Sequence, residues 1–498
     1  MRVDTSAALN IFQILLRMTN ILDFRYIIFR RASQDMGVLA SLLNWIPGSL
    51  ETGLLPMFFL LCKLRYRFYD PADIGDYQYR RAVELARYAA KKSTYFNRLY
   101  EGKQIEDFYS LPFVNKKKMM DNLTDYNTVN LTKEEIIAFC LEVERSRVFT
   151  QRLHGINVGL SSGTSGNKGV EIATRSEEMY MKAALFARFA FPKEEKLNLA
   201  FILRVSSPAF NLNILGHRMI YISQLDTIAN INSKLEIIQP NVISAPPSML
   251  KIIAREVEKE RLHISPKRLV SYAEILYPDV KDYLTRVFGC PVHEIYKCTE
   301  GPIAISCRCG NLHINEDLVL VEVLNNDGTY TEPGKPCQRL VVTDLHKKSQ
   351  PIIRYELNDI ITISSVKCPC GSSFRVIQSI QGRADDVFWA KGKDTGKWQY
   401  ISPDYISRAV ITASDEVDEY QVVQASPEEV LVRIQLIEGA SQKLFDESRI
   451  VGNITGVFRS YGCNDPKIEV VFGRPEPNPN SDKLIRIHRA FEVSDDGR

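Results

Sequence analysis

The sequence predicts an α/β protein built on a mainly parallel sheet. Short apolar runs at 199–203, 240–250 and 269–276 alternate with stretches of helical spacing, a pattern typical of βαβ units. The chain has 498 residues, enough for about three domain-sized units. Ligands of such sheets bind at the carboxyl ends of the strands, so we expect the functional residues there.

The composition excludes several classes of function. The chain is 45% hydrophobic and 25% charged with a net charge of +3, which is typical of a soluble globular protein. Neither half carries a sustained basic run, so nucleic-acid binding is not indicated. The ten cysteines are single except for two C-x-C pairs, and no signal-peptide pattern is present. We therefore predict a cytoplasmic protein with a metal site rather than a disulfide framework.

Residues 1–75 are predicted to form a helical extension. Proline and glycine interrupt its apolar stretch 37–62, so no segment reaches the ~20 apolar residues of a membrane-spanning helix. One interpretation is that the extension packs on the main domain. The other is that it contacts a membrane surface or a partner protein, because Lys63, Arg65 and Arg67 would suit an anionic interface.

The stretch 160–170, L-S-S-G-T-S-G-N-K-G-V, predicts a phosphate-binding loop. Gly163, Gly166 and Gly169 let the backbone approach an anion closely and turn N–H groups towards it. A nucleotide-triphosphatase loop is excluded, because Gly169 stands where that motif requires Ser or Thr. A Ser/Gly-rich linker is the remaining alternative.

This stretch resembles the S-S-G-T-[ST]-G-x-x-K-G loop of the acyl-adenylate-forming superfamily. The segment from Leu111 to Lys116, L-P-x-x-x-K, is similar to the phenylacetate–CoA ligase branch. The resemblance implies that the loop binds the phosphates of ATP. The loop residues it assigns to the nucleotide are Ser161, Ser162, Gly163, Thr164, Ser165, Gly166, Lys168 and Gly169.

Later segments follow in the order of that family. Ala273 and Glu274 end an apolar run and are expected to border the nucleotide crevice. The segment E-I-Y-K-C-T-E-G resembles Y-G-x-T-E, which implies that Tyr296 faces adenine and that Thr299 and Glu300 are catalytic. Glu300 would hold magnesium, which prefers oxygen ligands. Lys297 replaces the glycine of the family motif, so the resemblance does not determine the shape of the pocket.

Three more segments complete the resemblance. R-Y-E-L-N-D resembles R-Y-x-x-x-D, which implies that Asp359 binds the ribose hydroxyls, as a carboxylate can. G-R-A-D-D resembles the interdomain G-R-x-D-D, with Arg383 near the ribose and Asp385 as the hinge. Lys483 stands where the family has its catalytic lysine, although Asp482 replaces the usual preceding glycine.

The resemblance implies a fold and an activity. We expect a large adenylate-forming domain over 76–382 and a smaller, mobile α/β lid domain over 383–498. The predicted activity is ATP-dependent conversion of an aromatic or other small carboxylic acid into acyl-AMP, followed by transfer to CoA. The alternatives are an adenylyltransferase that stops at a nucleotidyl product, a ligase that uses another acceptor, and a non-catalytic homologue that binds nucleotide or zinc.

Two C-x-C-G units predict a zinc site. Thiolates and one imidazole at short spacing suit tetrahedral zinc. By the pattern of some relatives, the ligands would be Cys307, His313, Cys368 and Cys370, with Cys309 as the alternative to the histidine. A closed four-ligand site leaves no position for a substrate, so the zinc is expected to be structural.

Overall fold

The computed structural model describes most of the chain from residue 48 onwards. The described residues are 48–146, 148, 151–160, 169–188, 196–203, 212–214, 217–383, 387–401, 403–414, 416–476 and 484–491. Most of the predicted glycine loop, Asp385 and Lys483 lie outside them.

In the described part of the chain the regular elements are helices before residue 157, alternate between strands and helices from 170 to 298, and are strands from there to 401. The helices are α1 (Gly48–Phe68), α2 (Pro71–Lys92), α3 (Thr94–Leu99), α4 (Lys116–Asp121), α5 (Leu123–Tyr126), α6 (Lys133–Ser146), α7 (Arg175–Arg188), α8 (Ile228–Ile238), α9 (Pro247–Glu258), α10 (Pro278–Phe288), α11 (Pro403–Ile411) and α12 (Glu447–Ser460). The strands are β1 (Asn157–Leu160), β2 (Val170–Ala173), β3 (Asn198–Leu203), β4 (Leu212–Ile214), β5 (His217–Ser223), β6 (Val242–Ala245), β7 (Arg268–Tyr272), β8 (Val292–Cys298), β9 (Gly301–Ser306), β10 (Leu312–Ile314), β11 (Val319–Leu324), β12 (Arg339–Asp344), β13 (Tyr355–Leu357), β14 (Asp359–Ile363), β15 (Val376–Arg383), β16 (Phe388–Lys391), β17 (Trp398–Ile401), β18 (Val417–Ser426), β19 (Glu429–Leu436), β20 (Lys467–Phe472) and β21 (Ile487–Arg489).

A ten-stranded sheet organises the larger part of the structure, in the order β14-β15-β10-β9-β8-β7-β6-β3-β5-β4. Its centre, from β5 to β8, is parallel, and the strands beyond it on both sides are antiparallel. The apolar run of β6 is buried at every position, as expected of a strand covered by helices on both faces. The predicted parallel sheet is therefore present, with antiparallel strands added at its edges.

The smaller unit has a four-stranded sheet in the order β20-β19-β18-β21, with α11 and α12. Its apolar core is formed only by residues from Phe388 to Ile487 among those described. Strands β18 and β19 are antiparallel neighbours in this sheet. The polar stretch 391–399 contributes to the hairpin of β16 and β17.

The end of the N-terminal extension packs on the main domain. Arg65 on α1 is buried; its guanidinium donates to the Tyr180 hydroxyl at 2.9 Å and lies 4.7 Å from the Tyr77 ring centre. Arg188 donates to the carbonyl of Cys62 and forms an ion pair with Asp317. Arg65 is therefore buried inside the protein, so it is not available to bind an anionic surface together with Lys63 and Arg67.

The predicted limit of the extension at residue 75 falls inside α2. No helix among the described residues has both the length and the apolar character needed to cross a membrane.

Candidate active site

One crevice of about 1790 Å³ lies where the parallel strands end and the smaller unit approaches the larger one. Residues from separate segments of the sequence meet at its wall. The predicted site residues that line it are Ala273, Glu274, Tyr296, Thr299, Glu300 and Asp359. The smaller unit contributes the segment 484–491 that follows Lys483 in the sequence, except for His488.

Strand β7 delivers Ala273 and Glu274 to the crevice. The strand ends at Tyr272, and Ala273 then adopts a φ of +68°, which is uncommon for a residue with a side chain and clusters at functional sites. Glu274 accepts hydrogen bonds from the backbone N–H and the hydroxyl of Ser248 at 3.2 and 3.0 Å. The N-cap of α9 is Pro246, which supplies no side-chain hydrogen bond to the helix end. The carboxylate of Glu274 satisfies the helix end from the neighbouring strand instead.

Strands β8 and β14 bring Tyr296 and Asp359 together. The Tyr296 hydroxyl donates to a carboxylate oxygen of Asp359. Burial, and then the Asp359 charge, raise the pKa of Tyr296 well above its usual value, so the hydroxyl stays a donor. Asp359 is also paired with Arg383 across the antiparallel strands β14 and β15. Asp359 and Arg383 thus lie opposite each other in the sheet register, and the Tyr296 side chain reaches Asp359 from β8.

Thr299 and Glu300 form the turn between β8 and β9. The Thr299 hydroxyl donates to the Glu300 carboxylate at 2.8 Å. Glu300 is 8% exposed; no ion pair is formed with it in the described segments, and Lys297, which interacts with its charge, is paired with Glu171. Burial and the Glu300 carboxylate raise the pKa of the neighbouring Tyr355. A buried carboxylate without a cationic partner is unfavourable, so this position suits a bound cation.

Lys297, which departs from the family glycine, has a partner that sequence reasoning missed. Its ammonium lies 3.2 Å from both carboxylate oxygens of Glu171 on β2. Strands β1 and β2 form the hairpin that contains the glycine loop 161–168. Lys297 therefore joins strand β2 of that hairpin to β8. A charged residue in the otherwise apolar run Val170–Ala173 was the available signal.

The loop hairpin is also held by side chains of the segment that precedes β13. The Gln350 amide accepts from the backbone N–H of Ile172 at 3.0 Å and donates to the carbonyl of Val170 at 2.9 Å. Lys347, which is buried, donates to the carbonyl of Thr299 at 3.1 Å. These contacts connect the glycine-loop hairpin to the turn that carries Glu300, and no sequence motif predicted them.

Arg354, the arginine of the R-Y-x-x-x-D segment, makes contacts that stabilise the fold. Its guanidinium forms a buried ion pair with Glu322 at 3.0 Å, donates to the carbonyl of Leu111 at 2.7 Å and lies 4.3 Å from the Phe113 ring centre. It therefore anchors the L-P-x-x-x-K segment, whose Lys116 lines the crevice.

The four predicted zinc ligands lie together, and none of them lines the crevice. Cys307, His313, Cys368 and Cys370 place their ligand atoms within 4.8 Å of one another. Cys309 is exposed and is not in this group, so the structure favours the histidine. The sulfur atoms of Cys307 and Cys368 are 3.6 Å apart. A tetrahedral zinc with Zn–S bonds of about 2.3 Å separates its sulfur ligands by about 3.8 Å.

The surroundings of the group orient its members. The Nδ1 of His313 is 2.8 Å from the carbonyl of Phe374, which leaves Nε2 directed to Cys370 at 3.4 Å; such a bond fixes the tautomer of a metal-binding histidine. Burial opposes ionisation of Cys368, but hydrogen bonds led by that from Asn311 lower its pKa to about 6. The donor set therefore fits zinc.

Two curated proteins are similar to this chain in sequence. The phenylacetate–coenzyme A ligase of Thermus thermophilus is 28% identical over 196 residues, which are 37% of this chain and 42% of that protein. Protein CapK of Staphylococcus aureus is 21% identical over 398 residues, which are 74% of this chain and 80% of that protein. The chain therefore matches less than half the length of the first relative. No protein-family model matches the chain.

A solved structure shares the fold. 2-Hydroxyisobutyryl-CoA ligase in its postadenylation state, in complex with R3-HIB-AMP, has a TM-score of 0.65 at 19% identity, covering 85% of this chain and 90% of that chain. The same ligase in its thioesterification state, with 2-HIB-AMP and CoA, has a TM-score of 0.51 over 85% of this chain and 91% of that chain.

Proposed function

We propose that this chain, which has the fold of the acyl-adenylate-forming enzymes, activates a carboxylic acid with ATP as acyl-AMP and transfers the acyl group to CoA. The fold and the resemblance to the phenylacetate–CoA ligase branch are confirmed by the comparisons. The observation that carries the activity is that Tyr296, Thr299, Glu300 and Asp359 line one crevice at the strand ends.

The nucleoside would be held by β8 and β14. The Tyr296 ring offers a flat face for adenine, and its hydroxyl fixes the Asp359 carboxylate. A carboxylate has about four acceptor sites, so Asp359 can still receive both ribose hydroxyls. Arg383 is its partner in the sheet register, and the resemblance assigns Arg383 to the same sugar.

The phosphates would be held by the glycine loop and the Thr299–Glu300 turn. The carboxylate and the α-phosphate repel each other, so the protein must orient them and screen their charges. Backbone N–H groups of 163–169 and the Lys168 and Lys483 charges would do this, as the resemblance implies. Magnesium on Glu300 would supply further positive charge to the phosphates, and Thr299 would keep that carboxylate in place at 2.8 Å.

Zinc is proposed to be structural. Cys307, His313, Cys368 and Cys370 would use all four tetrahedral positions. The site would connect the segment after β9 to the segment before β15, the strand that ends at Arg383. It would thus support the sheet edge next to the hinge rather than act on a substrate.

A non-catalytic homologue remains the alternative of another class, suggested by Lys297 and Asp482. The first departure is compensated, because Lys297 is directed to Glu171 at 3.2 Å. We propose a cytoplasmic protein with a small acid and CoA as partners; the burial of Arg65 supports docking of α1 on the main domain rather than on a membrane.

The experiment is acid-dependent exchange of pyrophosphate into ATP, measured with aromatic, heteroaromatic and short hydroxy acids. We expect exchange with at least one acid, and thioester formation when CoA is added. Exchange without a thioester would favour the nucleotidyl product or another acceptor. No exchange with any acid, while ATP still binds, would favour the non-catalytic homologue.

A further inference from the structure

We propose that Arg486 is a positioning residue that fixes the small domain in the orientation for adenylation. It does so through an interdomain clamp, defined here as Arg486, Glu419 and Tyr420 of the small domain with Tyr277 and Asp279 of the large domain. This inference rests on the proposed function, because it gives the clamp a role in one of the two half-reactions.

Arg486 contacts both domains with one side chain. On the small-domain side its Nε donates to Glu419 at 2.7 Å, and its guanidinium carbon lies 4.9 Å from the Tyr420 ring centre. On the large-domain side the same carbon lies 4.8 Å from the Tyr277 ring centre, and an Nη is 3.5 Å from an Asp279 oxygen. Burial opposes the charge of Arg486, but the Glu419 carboxylate, followed by other acidic neighbours, raises its pKa, so the cation persists.

Arg486 is buried, so its contacts can stabilise one arrangement of the two domains. Its side chain is 6% exposed, against 18% for Glu419 and 33% for Asp279. The desolvation of a buried guanidinium is offset only if its carboxylate partners stay in place. Moving the small domain away from α10 would remove Asp279 and Tyr277 from the cation, so the clamp favours one orientation.

A row of cations on α9 extends the same interface. Lys251 lies 3.2 Å from Glu419, and Arg255 pairs with Asp418. One turn further, Lys259 lies 2.5 Å from Glu438. Glu419 is shared by Lys251 and Arg486, so the two parts of the interface are coupled.

The clamp acts on the segment that carries the proposed catalytic lysine. Arg486 is three residues after Lys483, and Leu484 and Ile485 between them line the crevice. Three extended residues span at most about 10 Å, so an anchored Arg486 limits where Lys483 can lie. A displacement of about 1 Å at a reacting group can cost about 100-fold in rate.

The orientation described here agrees with adenylation rather than acyl transfer. The chain is more similar to a ligase in its postadenylation state than to the same ligase in its thioesterification state, with TM-scores of 0.65 and 0.51. The clamp contacts belong to the arrangement closer to the former. Weakening the clamp should therefore slow acyl-AMP formation more than acyl transfer.

The kinetic test uses Asp279→Asn and Glu419→Gln, which remove one charge each and keep the side-chain shape. We expect kcat for pyrophosphate exchange to fall about tenfold or more, with little change in the KM of the acid, while thioester formation from supplied acyl-AMP is unchanged or faster. The matched control is Asp465→Asn, which loses an exposed ion pair with Arg459 inside the small domain and should change neither rate. Equal loss of both half-reactions in the clamp variants would overturn the proposal.

A second test does not depend on activity. A carbodiimide joins a lysine to a carboxylate in direct contact, so the Lys259–Glu438 cross-link reports the orientation of the domains. The Lys234–Asp226 pair, also at 2.5 Å but inside the large domain, is the internal standard. We expect Asp279→Asn to lower the ratio of the first cross-link to the second several-fold, and an unchanged ratio would overturn the clamp. Should wild type show no exchange with any acid, the proposed function fails, but this ratio still tests the clamp.

Discussion

The Lys297 ammonium lies 3.2 Å from both carboxylate oxygens of Glu171 and joins the strand before the Thr299–Glu300 turn to the glycine-loop hairpin. Both side chains are half-buried. The two residues are 126 positions apart in the sequence. The lysine that replaces the motif glycine is thus one half of an ion pair between β8 and the hairpin strand β2.

Removing one partner of this pair should destabilise the protein. For Lys297→Met or Glu171→Gln we expect a loss of about 1 to 3 kcal/mol in the free energy of unfolding, between the values for exposed and buried pairs. Denaturant unfolding of both single variants and the double variant gives the coupling energy. A coupling near zero would show that the pair contributes nothing.

The same pair predicts a pH dependence. Burial raises the pKa of Glu171, but the charge of Lys297 outweighs it and the pKa is lowered; its contribution is therefore present above the usual Glu value of about 4.3 and is lost as the pH falls through the lowered value. Burial lowers the pKa of Lys297, but Glu171 outweighs it and the pKa is raised, so that contribution is present below about 10.4 and is lost as the pH rises above it. The stability difference between wild type and Lys297→Met should thus be largest between these limits. A difference that is constant across pH would contradict the shifts.

Loss of a zinc ligand should lower stability. Structural zinc can contribute on the order of 10 kcal/mol to folding, so Cys370→Ser should lower both the bound zinc and the Tm. Cys309→Ser is the matched control, because Cys309 is exposed and outside the cluster. Metal analysis well below one zinc per wild-type chain, with equal Tm values for both variants, would rule the site out.

The nucleoside contact predicts a selective effect on ATP. Asp359→Ala should raise the KM of ATP about tenfold or more, because it removes the carboxylate that Tyr296 holds and one charge-assisted hydrogen bond is worth about 1.5 to 3 kcal/mol. Tyr296→Phe keeps the ring and should have a smaller effect. Steady-state kinetics with varied ATP distinguish the two. If neither variant changes the KM of ATP, the nucleoside lies elsewhere.

Lys483→Ala should abolish adenylation while ATP binding is nearly intact, because the lysine charge would act mostly in the transition state. Pyrophosphate exchange and calorimetric ATP binding measure the two properties. Lys467→Ala is the control, since Lys467 is an exposed lysine on β20 of the same domain. Near-normal pyrophosphate exchange in Lys483→Ala would show that Lys483 is not the catalytic lysine.

Asp385→Pro should separate the half-reactions, because proline fixes φ at the proposed hinge. We expect acyl-AMP formation to persist and acyl transfer to be lost. The two rates are measured by pyrophosphate exchange and by thioester formation from supplied acyl-AMP. An equal loss of both would leave no reason to place the hinge there.

Several features could be predicted from the sequence because local chemistry encodes them. The apolar run at 199–203 became β3 from Asn198 to Leu203, and the two C-x-C-G units contain three of the four members of the metal cluster. Period and spacing are properties of a few neighbouring residues, so they can be read without knowing the fold. The adenylate-forming fold was implied by the resemblance of the ordered motifs to that superfamily, and a solved ligase structure shares it.

The tertiary structure alone decided the pairings between distant residues. It placed His313 rather than Cys309 in the cluster, because the antiparallel pair β10–β15 places His313 opposite Val376, next to the Cys368 and Cys370 segment. It gave Lys297 its partner Glu171, supplied the cap of α9 from Glu274, and placed Arg486 between two domains. The sequence by itself determined which chemistry was available. Which groups meet depends on sheet register and domain docking, which are set by packing across the whole chain rather than by any local pattern.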